Sequence, residues 1–99
     1  MQENVLQAVE RIRRMESIFD ALKAVFAQDQ AAFFASGEMQ RQLQLLIDYY
    51  ENGRWLRDFQ MDEAGLLPPN LKRGVLSEDG VYNFLSDIDV ARADVEADV

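Results

Sequence analysis

Apolar residues recur every seven positions through the first third of the chain. Val5, Ile12, Phe19, Phe26 and Phe33 share one register, Ala8, Met15 and Leu22 fall three residues behind the first three of them, and Ile18, Val25 and Ala32 flank the stripe. That spacing places the apolar side chains on one face of an α-helix. Residues 1–35 contain neither Gly nor Pro, so the pattern predicts one long helix of roughly 45–50 Å. The stripe weakens at Asp29, which takes the next place in the Ala8 series. Glu10 and Arg14 stand one turn apart and support the outer face.

Ser36-Gly37 punctuates the pattern. A Ser at this point caps the next helix through its hydroxyl, and Glu38 suits the positive end of the helix dipole. Met39, Leu43, Leu46, Ile47 and Tyr50 give the second helix its stripe, and Asn52-Gly53 closes it. The short connection predicts that the first two helices lie antiparallel. A brief third helix is expected over 54–61, with Trp55 and Phe59 on one face, stopped by Gly65 and by Pro68-Pro69. Leu66, Leu67, Leu71, Val75 and Leu76 mark residues 65–76 as a loop that packs down on the core. Ser77, followed by Glu78 and Asp79, is expected to cap the last helix, whose stripe is Val81, Leu85 and Ile88 with Tyr82 and Phe84 alongside. From Asp89 the acidic tail either extends that helix or frays. Strand patterns are weak throughout. The expected fold is all-α, a small bundle in a single domain over 1–99: one long N-terminal helix, a second antiparallel to it, a short third and a C-terminal helix.

Charge and composition narrow the function. The 99 residues carry 18 acids against 10 bases, a net charge of -8, which disfavours a nucleic-acid binder that depends on clustered Lys and Arg. Cys and His are both absent, and with them go disulfides, thiolate zinc sites, the commonest metal ligand and the commonest general base. The start of the chain lacks the apolar core of a signal peptide, and no run approaches the roughly 18 apolar residues that span a bilayer, so a cytoplasmic setting is expected. Residues 51–99 hold eleven acids and five bases, against seven and five in residues 1–50. That asymmetry serves solubility or an electrostatic surface for a basic partner.

The stretch from Tyr49 to Asp79 carries the candidate site residues. Tyr49, Tyr50, Trp55 and Phe59 concentrate four aromatics within eleven residues, either as bundle core or as a binding hot spot. Asp62 and Glu63 fall at a helix C-terminus, where carboxylates oppose the dipole, and Asp58 adds like charge one turn earlier. Compensation comes from an ion pair with Lys72 or Arg73, from capping of a new turn, or from a divalent cation; the spacing is not that of a calcium loop. Lys72-Arg73-Gly74 lacks the glycine-rich frame of a nucleotide site, and Ser77 has no His to activate it. Arg11, Arg13 and Arg14 scatter around the helix axis with Glu10 and Glu16 between them, the mark of a solvated face.

With Tyr49-Tyr50, Trp55, Phe59, Asp62-Glu63, Gly65, Leu67-Pro68 and Leu71-Lys72-Arg73-Gly74-Val75-Leu76-Ser77-Glu78-Asp79 in place, the chain resembles the bacterial domain-of-unknown-function family 4298. Residues 1–48 match that family in length and helical pattern. The resemblance implies a small bacterial helical domain and supplies no activity and no catalytic residues. The expected role is therefore a non-catalytic helical interaction protein without cofactor or metal. Its surface would draw on Tyr49, Tyr50, Trp55, Asp58, Asp62, Glu63, Lys72 and Arg73. The partner would be another protein, or a second copy joined through the N-terminal helix, with neither nucleic acid nor membrane involved. The alternative is an acidic inhibitor or immunity protein that binds a basic enzyme or a nucleic-acid-binding protein.

Overall fold

Asp29 divides the N-terminal stripe into two helices, α1 (Val5–Gln28) and α2 (Gln30–Ala35). In the computed structural model, which describes residues 4–97 and their side chains as far as Val95, Asp29 is extended and its carboxylate accepts the Ala32 N–H at 3.0 Å. The single helix expected over 1–35 is corrected on this point. An Asp side chain satisfies the orphan donors of a new helix, and here that outweighs continuing the old one. Asn4 begins α1 in the same way, accepting the Gln7 N–H at 2.8 Å.

Ser36 caps α3 (Gly37–Glu51) through a 3.1 Å bond from the Met39 N–H, as its position predicts. The helix ends at Asn52, and Gly53 turns the chain at φ +92°, a left-handed conformation that costs Gly little. α4 (Arg54–Glu63) runs two residues beyond the expected end. A loop follows, then a 3-10 turn at Gly74–Leu76 and α5 (Gly80–Ala97). Ser77 lies on the far side of that turn and does not cap α5. The helix starts three residues later, with the Asn83 N–H donating to the Asp79 carbonyl. The acidic tail extends α5 as far as Ala97; residues 98–99 lie outside the described part. Among the described residues there are helices and turns and no strand, so the fold is all-α. None of these helices is long and apolar enough to cross a membrane.

The core follows the stripes. Ala8, Ile12, Met15, Phe19 and Leu22 of α1 are buried, as are Leu43 and Leu46 of α3 and Val81, Phe84 and Ile88 of α5. Val5, first in the heptad series, is 39% exposed, so the packed stripe starts one turn later. Arg11 near the start of α1 and Tyr49 near the end of α3 reach the same carboxylate, so these helices run antiparallel. At the other end, Phe26 stands edge-on to Phe33, Phe34 and Phe84 at 5.3–6.3 Å between ring centroids. These contacts join α1, α2 and α5, and edge-to-face pairs of this kind add to simple area burial. The loop packs down as expected through Leu67, Leu71, Val75 and Leu76, while Leu66 remains exposed. The molecule is elongated, 48 × 23 × 17 Å.

Candidate functional site

Among the described residues Asp58 is the most deeply placed charge, with 0% exposure. It sits on the inner face of α4, one turn after Trp55. Arg11 grips it with two donors: Nε reaches Oδ2 at 2.9 Å and Nη2 bonds Oδ1. The Tyr49 hydroxyl donates to Oδ2 at 2.6 Å. Three helices thus converge on one carboxylate, and the two-donor guanidinium grip fixes orientation as well as charge. A carboxylate so buried and so fully engaged is closed to substrate.

Burial, then the Asp58 hydrogen bond and the charge behind it, push the Tyr49 phenol well above its usual range. The folded protein therefore holds this proton more tightly than the unfolded chain does. The contribution is fully present below the unfolded pKa of about 10 and is lost as pH rises above it, by up to about 1.4 kcal/mol per pH unit. Urea unfolding between pH 9 and pH 11.5 should show wild type losing stability above pH 10 more steeply than Tyr49→Phe. Equal slopes would mean the phenol is not held as described.

A second buried carboxylate organises the loop. Glu16 is 8% exposed, and its Oε2 accepts the Val75 N–H at 2.6 Å. The Val75 carbonyl in turn accepts the Trp55 indole N–H at 2.7 Å. Both backbone polar groups of Val75 in the 3-10 turn are thereby held, one from α1 and one from α4. The preceding residue has to be small: a Cβ on Gly74 would stand 2.8 Å from Glu16 Oε1. Gly74→Ala must displace Oε1, and a shift that carries Oε2 off Val75 forfeits a charged hydrogen bond worth about 1.5–3 kcal/mol. We expect a loss of that size in thermal or urea denaturation. A loss below about 0.5 kcal/mol, the range of ordinary surface changes, would show that Glu16 finds another acceptable position.

Arg73 completes the loop. Its Nε bonds Asp62 at 2.9 Å, and its other nitrogens donate to the carbonyls of Pro68, Pro69 and Leu71. The ion pair expected for Asp62 is this one. Asp58 and Asp62 are thus turned to different cationic partners, and Glu63 is exposed. Among the described residues no three acidic side chains gather as a metal site would require.

The eight residues proposed from the sequence therefore divide. Tyr49, Trp55 and Asp58 are buried and their polar atoms bonded inside the chain, so a partner cannot meet them on the folded surface. Asp62 and Arg73 are half-buried and paired; Glu63 and Lys72 are exposed. Tyr50 is half-buried, standing edge-on to Trp55 at 5.1 Å. Arg11 and Glu16, read as members of a solvated face, are corrected to structural residues. Both lie on the side of α1 that meets α4 and the loop. Glu16 follows buried Val9 by one heptad, a signal present in the sequence.

Tyr50 also borders an open, partly apolar groove. Between α3 and α5 lies a groove of about 410 Å³, floored by Leu43, Ile47, Leu85 and Ile88. Tyr82, 62% exposed, forms one wall, and Glu51 and Asp89 stand on the rim. Arg92 at its end is engaged, donating to Gln40 at 3.1 Å with its guanidinium 5.5 Å from the Phe34 ring. A larger cavity, about 480 Å³ between α1 and α3, mixes Glu10 and Asp48 with Arg11, Arg14 and Arg54, so its walls carry no single sign of charge.

A family model, the domain of unknown function DUF4298, matches residues 12–92. The chain belongs to the DUF4298 family. The matched span takes in Glu16, Tyr49, Trp55, Asp58, Arg73, the 3-10 turn and every groove residue, and it starts one residue after Arg11. DUF4298 membership places this chain among similar domains and assigns no role to any residue. No curated protein and no solved structure matches the chain.

Proposed function

We propose that this protein is a non-catalytic interaction module that offers the α3–α5 groove to another protein. The observation that carries this reading is the groove itself: an apolar floor left open between two helices in a chain otherwise rich in surface charge. Exposed apolar surface rimmed by polar groups is characteristic of binding sites. The buried polar groups support the non-catalytic part, since Asp58, Glu16, Tyr49 and Trp55 spend their hydrogen-bonding capacity on holding helices and loop together. The N-terminal stripe supports a partner other than a second copy docked through α1, because the chain covers that stripe itself. A more specific form, an acidic inhibitor or immunity protein directed at a basic enzyme, is favoured by the excess of acids over residues 51–99.

The test is affinity capture from host lysate at low and high salt with wild type and Tyr82→Ala side by side, circular dichroism confirming equal helicity. A stoichiometric protein retained by wild type and depleted with Tyr82→Ala is the expected result. Recovery of bait alone from both, or equal capture by both, would overturn the groove's role. Release of a basic enzyme by salt would select the inhibitor form.

A further inference from the structure

We infer that the α3–α5 groove takes a basic amphipathic helix, its apolar stripe seated on Ile47 and Leu85 and its Lys or Arg side chains against Glu51 and Asp89. This rests on the interaction reading above and adds the chemistry of the occupant.

Shape comes first. The α3 wall runs from Leu43 to Glu51 and the α5 wall from Tyr82 to Arg92. At 1.5 Å per residue these walls are roughly 12 and 15 Å long, between two and three helical turns. Such a trough suits a helix whose anchors recur at i, i+3 or i+4, and i+7. A small molecule is a poorer fit, because small-molecule sites enclose most of their ligand, whereas Tyr82 on this wall is 62% exposed.

Charge then selects among helices. Glu51 and Asp89 outnumber the one cation lining the groove, Arg92, whose guanidinium is drawn to the groove's end by Gln40 and Phe34. The surface beyond α5 continues in the same sign with Asp87 and Asp94, both exposed. A second copy of this chain would bring another net charge of -8 against that surface. Opposite charge on the occupant speeds encounter and sets specificity, and like charge opposes it.

The test uses three labelled 15-residue peptides followed by fluorescence anisotropy at low and moderate salt: a Leu/Lys amphipathic helix, its Leu/Glu counterpart, and a Ser/Lys peptide of equal charge without the apolar stripe. The Leu/Lys helix should bind, and the other two should bind at least about tenfold more weakly. The double reversal Glu51→Lys with Asp89→Lys should weaken Leu/Lys binding about tenfold. Glu10→Lys with Glu63→Lys changes the net charge equally at positions that do not line the groove, and should leave binding within about twofold. Equal binding of the Ser/Lys peptide, or equal loss in both double reversals, would reduce the effect to diffuse attraction and overturn the inference. No binding of the Leu/Lys helix would overturn it as well. If the lysate capture then still depends on Tyr82, the interaction reading survives with a different occupant; if neither experiment shows groove-dependent binding, both fall.

Discussion

Asp58→Ala is expected to lower the unfolding free energy by about 3–5 kcal/mol, the usual result of removing one member of a buried, hydrogen-bonded charge pair. The loss of the carboxylate takes a shared acceptor from two donors at once. Arg11 keeps a guanidinium whose side chain is only 16% exposed, and Tyr49, 4% exposed, keeps a hydroxyl that pointed at Oδ2. For a domain whose total stability is typically about 5–15 kcal/mol, that is a large share. Urea unfolding at neutral pH measures it directly. A loss below about 1 kcal/mol would mean that water replaces the carboxylate and Arg11 finds solvent, and the three-helix junction would not be what holds this end of the bundle together. A companion variant separates the charge from the packing. Arg11→Met with Asp58→Leu removes both charges and leaves the Tyr49 hydroxyl to find another acceptor. Since apolar replacement of a buried pair is often neutral or stabilising, the double variant should recover much of the loss.

That junction also marks where sequence reasoning stops. The helices were legible because each carries its own periodic stripe and its own punctuation: Ser36 caps where a hydroxyl is needed, Gly53 turns where a left-handed residue is needed, and the loop packs down through Leu67, Leu71, Val75 and Leu76 though not Leu66. A pair from Asp62 to Lys72 or Arg73 was one of the alternatives the sequence left open, beside capping and a cation, and the bond across the loop goes to Arg73. Periodicity assigns a residue to a face but does not name what that face will meet. Arg11 and Asp58 are separated by 47 positions and Glu16 and Val75 by 59, and nothing local to either end announces the other. The charges themselves were misleading, because Glu, Asp and Arg are almost never fully buried unless paired. Asp58 did carry a signal, one turn from Trp55 and beside Phe59 on the aromatic face of α4, a place where a carboxylate needs a partner from another element. Asp29 shows the reverse case. The heptad count already faltered there, but a helix continuing across a weak point and a helix restarting from a capping Asp look alike until the Ala32 N–H is seen bonded to the side chain. The groove was beyond reach for a different reason: it depends on how far α5 stands from α3, a tertiary distance that neither stripe encodes.

Trp55→Ala tests the other organising contact and is expected to cost about 3–5 kcal/mol, the range for removing a buried Trp or Phe side chain. The indole ring is 9% exposed, stacks on Phe59 with 5.2 Å between centroids and 16° between planes, and takes the edge of Tyr50 at 5.1 Å. Its N–H is the donor to the Val75 carbonyl. Trp55→Phe keeps most of the packing and deletes the bond, so it should cost only about 1–3 kcal/mol, much of it for leaving that buried carbonyl unpaired. Amide exchange distinguishes the two roles where stability alone does not. In Trp55→Phe the Val75 amide still donates to Glu16 and should keep its protection, whereas in Trp55→Ala the cavity loosens the turn and the amides of 74–76 should exchange faster than those of α1. Exchange that accelerates equally across the whole chain in both variants would mean that Trp55 is simply a core residue and that the turn has no separate anchor. The same pair bears on the groove, since Tyr50 leans on this ring. Trp55→Ala should weaken binding of the Leu/Lys helix by letting Tyr50 fall inward, and Trp55→Phe should leave it nearly unchanged, because the support that Tyr50 needs is the ring and not the indole nitrogen.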